Sequence, residues 1–145
     1  MHTPINFYYD KSPRDLYRIG NASSPRIDLV RTSPPRQEQE SHEVKVYTGK
    51  DGQLLVDHRS GGLSLFDAPS DKPGIKWWKI PVDTPISAGL VLTEDIHYKN
   101  ATSDTRKHYS LRPAYDMPLK TYVSLLMSMG HYAFAMFAQK NIRIA

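Results

Sequence analysis

The chain has 145 residues, 39% hydrophobic and 23% charged, which is enough to bury a core and too apolar for wholesale disorder. Nineteen Lys and Arg against fifteen Asp and Glu leave a net charge of +4, scattered along the chain; this speaks against a basic nucleic-acid tail and suits a phosphate-bearing ligand or an acidic partner. No cysteine is present, which excludes disulfide staples and thiolate metal sites.

Met1 to Asp15 contain no charged-then-apolar run, so no Sec-type signal is expected. "DLYRIG", 15–20, alternates and ends at glycine, which predicts a first short strand. Residues 21–42, rich in Pro, Ser and charge, predict a long surface loop with a short turn around Ile27 to Val30. "EVKVYTG" and "QLLVDH" read as a hairpin across the turn "GKDG". "GGLSLFD" predicts a further strand, "APSDKPG" a loop and "IKWWKIP" a strand ended by proline. "TPISAGLVLTED" reads as a turn and then a strand at Leu90 to Leu92; "NATSDTRK" is a polar loop, and "HYSLRP" a strand stopped at Pro113. Without a signal sequence, Asn21-Ala22-Ser23 and Asn100-Ala101-Thr102 read as chance matches to the glycosylation pattern.

The period then changes. Apolar residues recur at 119, 122, 126, 129, 133 and 136, one helical face, with Asp116 as the expected cap and Pro118 in the tolerant first turn. Thr121 to Ala138 carry no formal charge, a window at the threshold for a membrane span. The Thr, Ser, Gly and His residues spread through it favour a core helix with a partly polar back. The whole reads as one α+β domain, 1–145, of many short strands and one C-terminal helix.

"DLYRIG", "GGLSLFD" and "KHYSLRP", with "KIPVDTPISAGLVLTED" between the second and third, resemble in order and spacing the ADP-ribosyltransferase-like toxins of type VI secretion. The resemblance runs from Asp15 into the C-terminal helix and leaves the 21–42 loop unmatched. It implies two packed, mostly antiparallel β-sheets with flanking helices and a long C-terminal helix, around a cleft for a nicotinamide dinucleotide, NAD, as substrate. It implies Arg18, Ser64 and His108 as catalytic residues, with Arg18, Leu63, Ser64, Leu65 and Tyr109 binding the dinucleotide. It also implies a toxin acting in the cytoplasm of a target cell and an acidic immunity protein as partner; no DNA binding is expected.

The residue chemistry bears on each position. Breaking a nicotinamide–ribose bond needs a cation for the diphosphate and groups that stabilise an oxocarbenium-like transition state. Arg18 supplies a planar, permanently charged fork, unless it is an edge-strand arginine with a solvated head. His108 follows Arg106 and Lys107, whose charges favour a neutral imidazole. Ser64 falls on the family's serine, while Leu63 replaces its threonine; Gly61 and Gly62 would let a ligand approach the backbone. Tyr109 alternates away from His108, toward a core unless the strand lies at the cleft edge. No glutamate follows His108, so His108 or an aspartate takes the role of the late glutamate of many ADP-ribosyltransferases, or the activity differs from ordinary transfer. Trp77 and Trp78 offer a stacking face, with at least one expected in the core.

The histidine spacing gives no metal site, and no nucleophile-elbow, Walker or dinucleotide-fingerprint motif occurs. Two other readings compete: an RNA-directed toxin, such as a metal-independent ribonuclease, and a non-enzymatic toxin acting through its apolar C-terminal helix.

Overall fold

The computed structural model describes residues 3–21, 23–33, 43–70, 74–96 and 106–135. Its elements in chain order are β1 (Pro4–Tyr8), β2 (Leu16–Gly20), β3 (Thr32–Ser33), β4 (Val44–Thr48), β5 (Leu54–Val56), β6 (Leu63–Phe66), β7 (Lys76–Ile80), β8 (Leu90–Asp95), β9 (His108–Pro113), β10 (Met117–Pro118), α1 (Leu119–Gly130) and β11 (Phe134–Ala135). Seven strands form one antiparallel sheet in the order β1-β8-β9-β6-β2-β7-β11. The second sheet runs β10-β5-β4-β3, with β3 parallel to β4.

Period-two alternation decides the two faces of the large sheet. Leu63 and Leu65 of β6 are buried, as are Leu92 of β8 and Tyr109 and Leu111 of β9. They meet Val44 and Val56 of the second sheet and Tyr122, Leu126 and Met129 of α1 in one apolar cluster. The second sheet and the helix therefore cover the same face of the large sheet. The residues between these apolar positions, Ser64, Phe66, Thr93, Asp95, His108, Ser110 and Arg112, belong to the opposite face.

Tyr122 ties the helix into the sheet. Its hydroxyl accepts the Leu63 N–H at 3.0 Å and donates to the Leu111 carbonyl at 2.5 Å, entering the ladder where β6 and β9 separate. Burial pushes the Tyr122 hydroxyl far up from its ordinary value.

Several expectations change. The described residues contain one helix, so flanking helices are not part of this arrangement. That helix ends at Gly130, well before Ala138, because a turn at 131–132 reverses the chain and Phe134–Ala135 pair with β7. The periodic position 136 lies outside the described residues. Asp116 does not cap α1; Pro118 holds the cap position without a side-chain bond, and Asp116 is engaged by Tyr47 and His58. β1 went unrecognised because Ile5, Asn6 and Phe7 are all exposed on an edge strand, which erases alternation. β8 continues past Leu92 to Asp95, since Thr93 and Asp95 are its inward polar teeth on the second face. In the predicted 21–42 loop, Ile27 is buried against Gly130 and Thr32–Ser33 pair with β4; 22 and 34–42 lie outside the described residues. No helix among the described residues is long and apolar enough to cross a membrane.

Candidate functional site

The second face of the large sheet holds a connected polar network. His108, at the start of β9, places Nδ1 2.7 Å from Oδ2 of Asp95 at the end of β8. Ser110 donates its hydroxyl to the same oxygen at 2.7 Å, and Thr93 donates to Oδ1 at 3.0 Å. Arg112 donates Nε to the Thr93 hydroxyl at 2.9 Å and lies 3.5 Å from Asp95 through Nη2. The register explains the convergence: Thr93 faces Ser110 across the ladder, and residues two apart share a face.

Asp95 has a fully buried side chain, while the His108 ring keeps 12% of its surface exposed. Burial alone pushes the Asp95 carboxyl up; the hydrogen bonds of His108 and Ser110, with the charges of His108 and Arg112, outweigh it and hold the carboxyl below its ordinary value. With Asp95 ionised, the His108 Nδ1–H donates to it, which fixes the ring's orientation and leaves Nε2 as the nitrogen turned from the carboxylate. This is a histidine oriented for proton transfer.

Phe66 sits across the ladder from His108, its ring edge-on at 5.2 Å. Trp77 stands edge-on to Phe66 at 6.1 Å. The Arg106 guanidinium carbon lies 4.3 Å from the Phe66 centroid and 5.5 Å from that of Trp77. Ser64 pairs with Ser110 in the ladder and so shares this face.

Arg18 is placed elsewhere. Tyr17 pairs with Phe66, so Arg18 alternates to the core face. Its Nη1 is 2.7 Å from Glu43 Oε2 and 3.1 Å from the Ser64 carbonyl, and its Nη2 3.3 Å from the Arg26 carbonyl. Glu43 completes the arrangement by accepting the Ser64 N–H at 2.6 Å and the Arg31 N–H at 2.8 Å. Burial pushes the Glu43 carboxyl up, but the Arg18 charge and these backbone donors prevail and keep it low. β6 and β2 share only the Tyr17–Phe66 pair, and the ion pair satisfies the Ser64 backbone groups where the ladder has opened.

The structure thus brings Ser64 and His108 to one face and sets Arg18 on the other. Leu63, Leu65 and Tyr109, expected to bind the dinucleotide, have core side chains instead, because alternation turns them away from His108. Burial pushes the Tyr109 hydroxyl up to about 12. The glycines before Ser64 also gain a different reason. A Cβ on Gly62 would stand 2.6 Å from the Leu111 carbonyl oxygen, and one on Gly61, at φ 144°, 2.4 Å from that of Glu43. They admit neighbouring backbone, and the approach of a ligand is not what requires them. Trp77 is buried, and Trp78 donates its indole N–H to the Asn21 carbonyl on the Arg18 face.

Sequence reasoning missed Asp95 and Glu43. A signal for Asp95 existed: Thr93-x-Asp95 and His108-x-Ser110-x-Arg112 are polar alternations on two strands that neighbour each other. Glu43 gave none beyond its place before β4. It also missed the knot in which Asp116 accepts the Tyr47 hydroxyl and the His58 Nδ1, each at 2.5 Å, and the His58 N–H at 3.0 Å. Asp57 lies close enough to complete a three-ligand group with them, and the described bonds account for it as a tie between the second sheet and the start of α1. The His58 N–H, then its ring and the Tyr47 hydroxyl, pull the Asp116 carboxyl down to about 2.

A family model described as Tse2 ADP-ribosyltransferase toxin matches residues 14–136. No curated protein matches the chain.

Proposed function

Because the chain belongs to the Tse2 ADP-ribosyltransferase toxin family, we propose that it is a toxin that binds NAD and breaks its nicotinamide–ribose bond on the face carrying Ser64 and His108. The supporting observation is the imidazole of His108 at 2.7 Å from a buried aspartate, in register with Ser64 and Ser110 on neighbouring strands.

In this reading the bond from ribose C1′ to the nicotinamide nitrogen breaks, and its electron pair leaves with nicotinamide. C1′ then bonds to an oxygen or nitrogen of the acceptor, water included, and His108 Nε2 takes the acceptor's proton. Asp95 holds Nδ1 and stabilises the imidazolium that forms. This answers the missing late glutamate: Glu43 is committed to Arg18, and Glu94 stands on the other face against Lys107 and Asn6. Among the described residues, the carboxylate bonded to His108 is Asp95, which acts through the imidazole. Arg18 contributes by fixing the backbone of Ser64. An acidic immunity protein would neutralise the toxin by covering this face, in keeping with the net charge of +4.

The test is nicotinamide release from NAD by purified protein, with and without cell extract as acceptor, alongside growth inhibition on expression in cells. His108→Ala is expected to lower turnover about a hundredfold or more and to relieve growth inhibition while the circular dichroism spectrum is unchanged. Growth inhibition by the wild type without any NAD turnover, or full toxicity of a folded His108→Ala variant, overturns the reading.

A further inference from the structure

We propose that Arg112 is a positioning residue for His108: it supplies the permanent counter-charge of buried Asp95, and so leaves the imidazole able to release its proton. The proposal deepens the reading above, and its consequence for turnover rests on that reading.

Arg112, Ser110 and His108 alternate along β9, and Thr93 and Asp95 belong to the same face on β8. The Arg112 side chain is 7% exposed, and that of Asp95 is fully buried. Nε of Arg112 donates to the Thr93 hydroxyl at 2.9 Å, and Nη2 stands 3.5 Å from Asp95 Oδ1. A guanidinium has only donors, so the Thr93 oxygen accepts here and its single proton is turned to another partner. Asp95 Oδ1 is 3.0 Å away and the Ser110 carbonyl 3.4 Å; the carboxylate is both nearer and charged. The other carboxylate oxygen, Oδ2, meets the Ser110 hydroxyl and His108 Nδ1, each at 2.7 Å. Asp95 thus gives one oxygen to the Arg112–Thr93 pair and the other to Ser110 and the imidazole. The charged groups that meet Asp95, His108 and Arg112, both come from β9. On its other side β1 opposes it with Pro4, and Glu94 and Lys107 alternate to the other face.

This division of the carboxylate bears on proton transfer. A carboxylate taken out of water needs a counter-charge. Were the imidazole its only one, Asp95 would hold His108 as a bound imidazolium, and a base that keeps its proton takes none from an acceptor. Arg112 keeps its charge at every working pH and reaches the carboxylate through the oxygen that the imidazole does not use. It balances Asp95 and repels a second positive charge on the ring. Thr93 relays the contact, since its hydroxyl accepts from Nε and donates to Oδ1, and each bond polarises the other.

The experiment compares the wild type with Arg112→Gln, Arg112→Lys and Thr93→Val, each checked for folding by circular dichroism. Nitrogen-15 spectra of the His108 ring near neutral pH, taken without any ligand, report how much of it is doubly protonated. Nicotinamide release from NAD is followed from neutral to alkaline pH. Arg112→Gln is expected to enlarge the doubly protonated share and to lower kcat at neutral pH about tenfold. KM for NAD stays unchanged, and raising the pH by about one unit restores kcat. Arg112→Lys, which keeps the charge, stays close to the wild type; Thr93→Val moves both readouts in the direction of Arg112→Gln by a smaller step. Wild-type ring spectra in folded Arg112→Gln and Thr93→Val overturn the proposal, as does a loss of turnover that is equal at every pH. Where Arg112→Gln does not fold, the ring spectrum of Thr93→Val decides: a shifted one supports the proposal and an unmoved one overturns it. A ring spectrum that moves as expected, in a protein whose wild type releases no nicotinamide, supports the role of Arg112 and removes the NAD reading.

Discussion

At the scale of single residues, the ion pair of Arg18 with Glu43 reorders the assignment of roles. A guanidinium on a short strand near a family motif suggests a ligand contact, yet burial and four backbone neighbours make this pair a scaffold. Removing one member leaves the other charged and buried, which costs about 3–5 kcal/mol. Arg18→Ala is therefore expected to lower the urea midpoint strongly, and Arg18→Met combined with Glu43→Leu to lower it less. A wild-type midpoint for Arg18→Ala would show that the pair does not hold β6 in place. It follows that lost toxicity in an Arg18 variant has to be read beside its stability. His108 and Ser64 were legible as site candidates because motif spacing marks both. Glu43 and Asp95 were not, since their partners lie 25 and 13 residues away and meet them only through sheet pairing.

Among the elements, α1 does more than cover the core. Tyr122 places a hydroxyl between β6 and β9 and satisfies one donor and one acceptor that the ladder leaves open. Tyr122→Phe keeps the ring and removes that bridge, so two buried backbone groups lose their partner. The expected cost is about 1–3 kcal/mol, with faster hydrogen exchange at the Leu63 amide as its local signature. Unchanged exchange at Leu63 would mean that the strands close directly on each other. Most of the strands β2 and β4 to β9 could be read from alternation and turn residues. β1 and β11 could not, for each is an edge strand whose exposed residues carry no period. The helix was read too long because Ala133 continues the apolar period and packs on the core after the helix has ended.

For the molecule as a whole, buried and bridging carboxylates link stability to pH. Glu43 and Asp95 are held below their ordinary values of 4.5 and 3.8, and Asp116 is drawn down to about 2. A carboxyl with a depressed folded value contributes stability that is complete above its unfolded value and lost as pH falls through the folded one. The unfolding free energy from these groups is thus expected to hold above about pH 5 and to decline from about 4.5 toward 2, measured by urea titration at fixed pH. Replacing Asp116 with Asn should shrink the lowest part of that decline, modestly because the group is partly exposed. Stability that rises on acidification to pH 4 would show that these carboxylates are better protonated than paired. The sequence alone determined the α+β class, the order of most strands, the helix register and the family, because each is written in local period, turn chemistry and motif spacing. The tertiary structure decided which residues share a face. It paired Asp95 with His108, bound Arg18 to Glu43, turned Leu63, Leu65 and Tyr109 into the core and set Arg106 over the rings of Phe66 and Trp77. Those relations depend on which strands become neighbours and in what register, and neither is encoded in any short stretch of the chain.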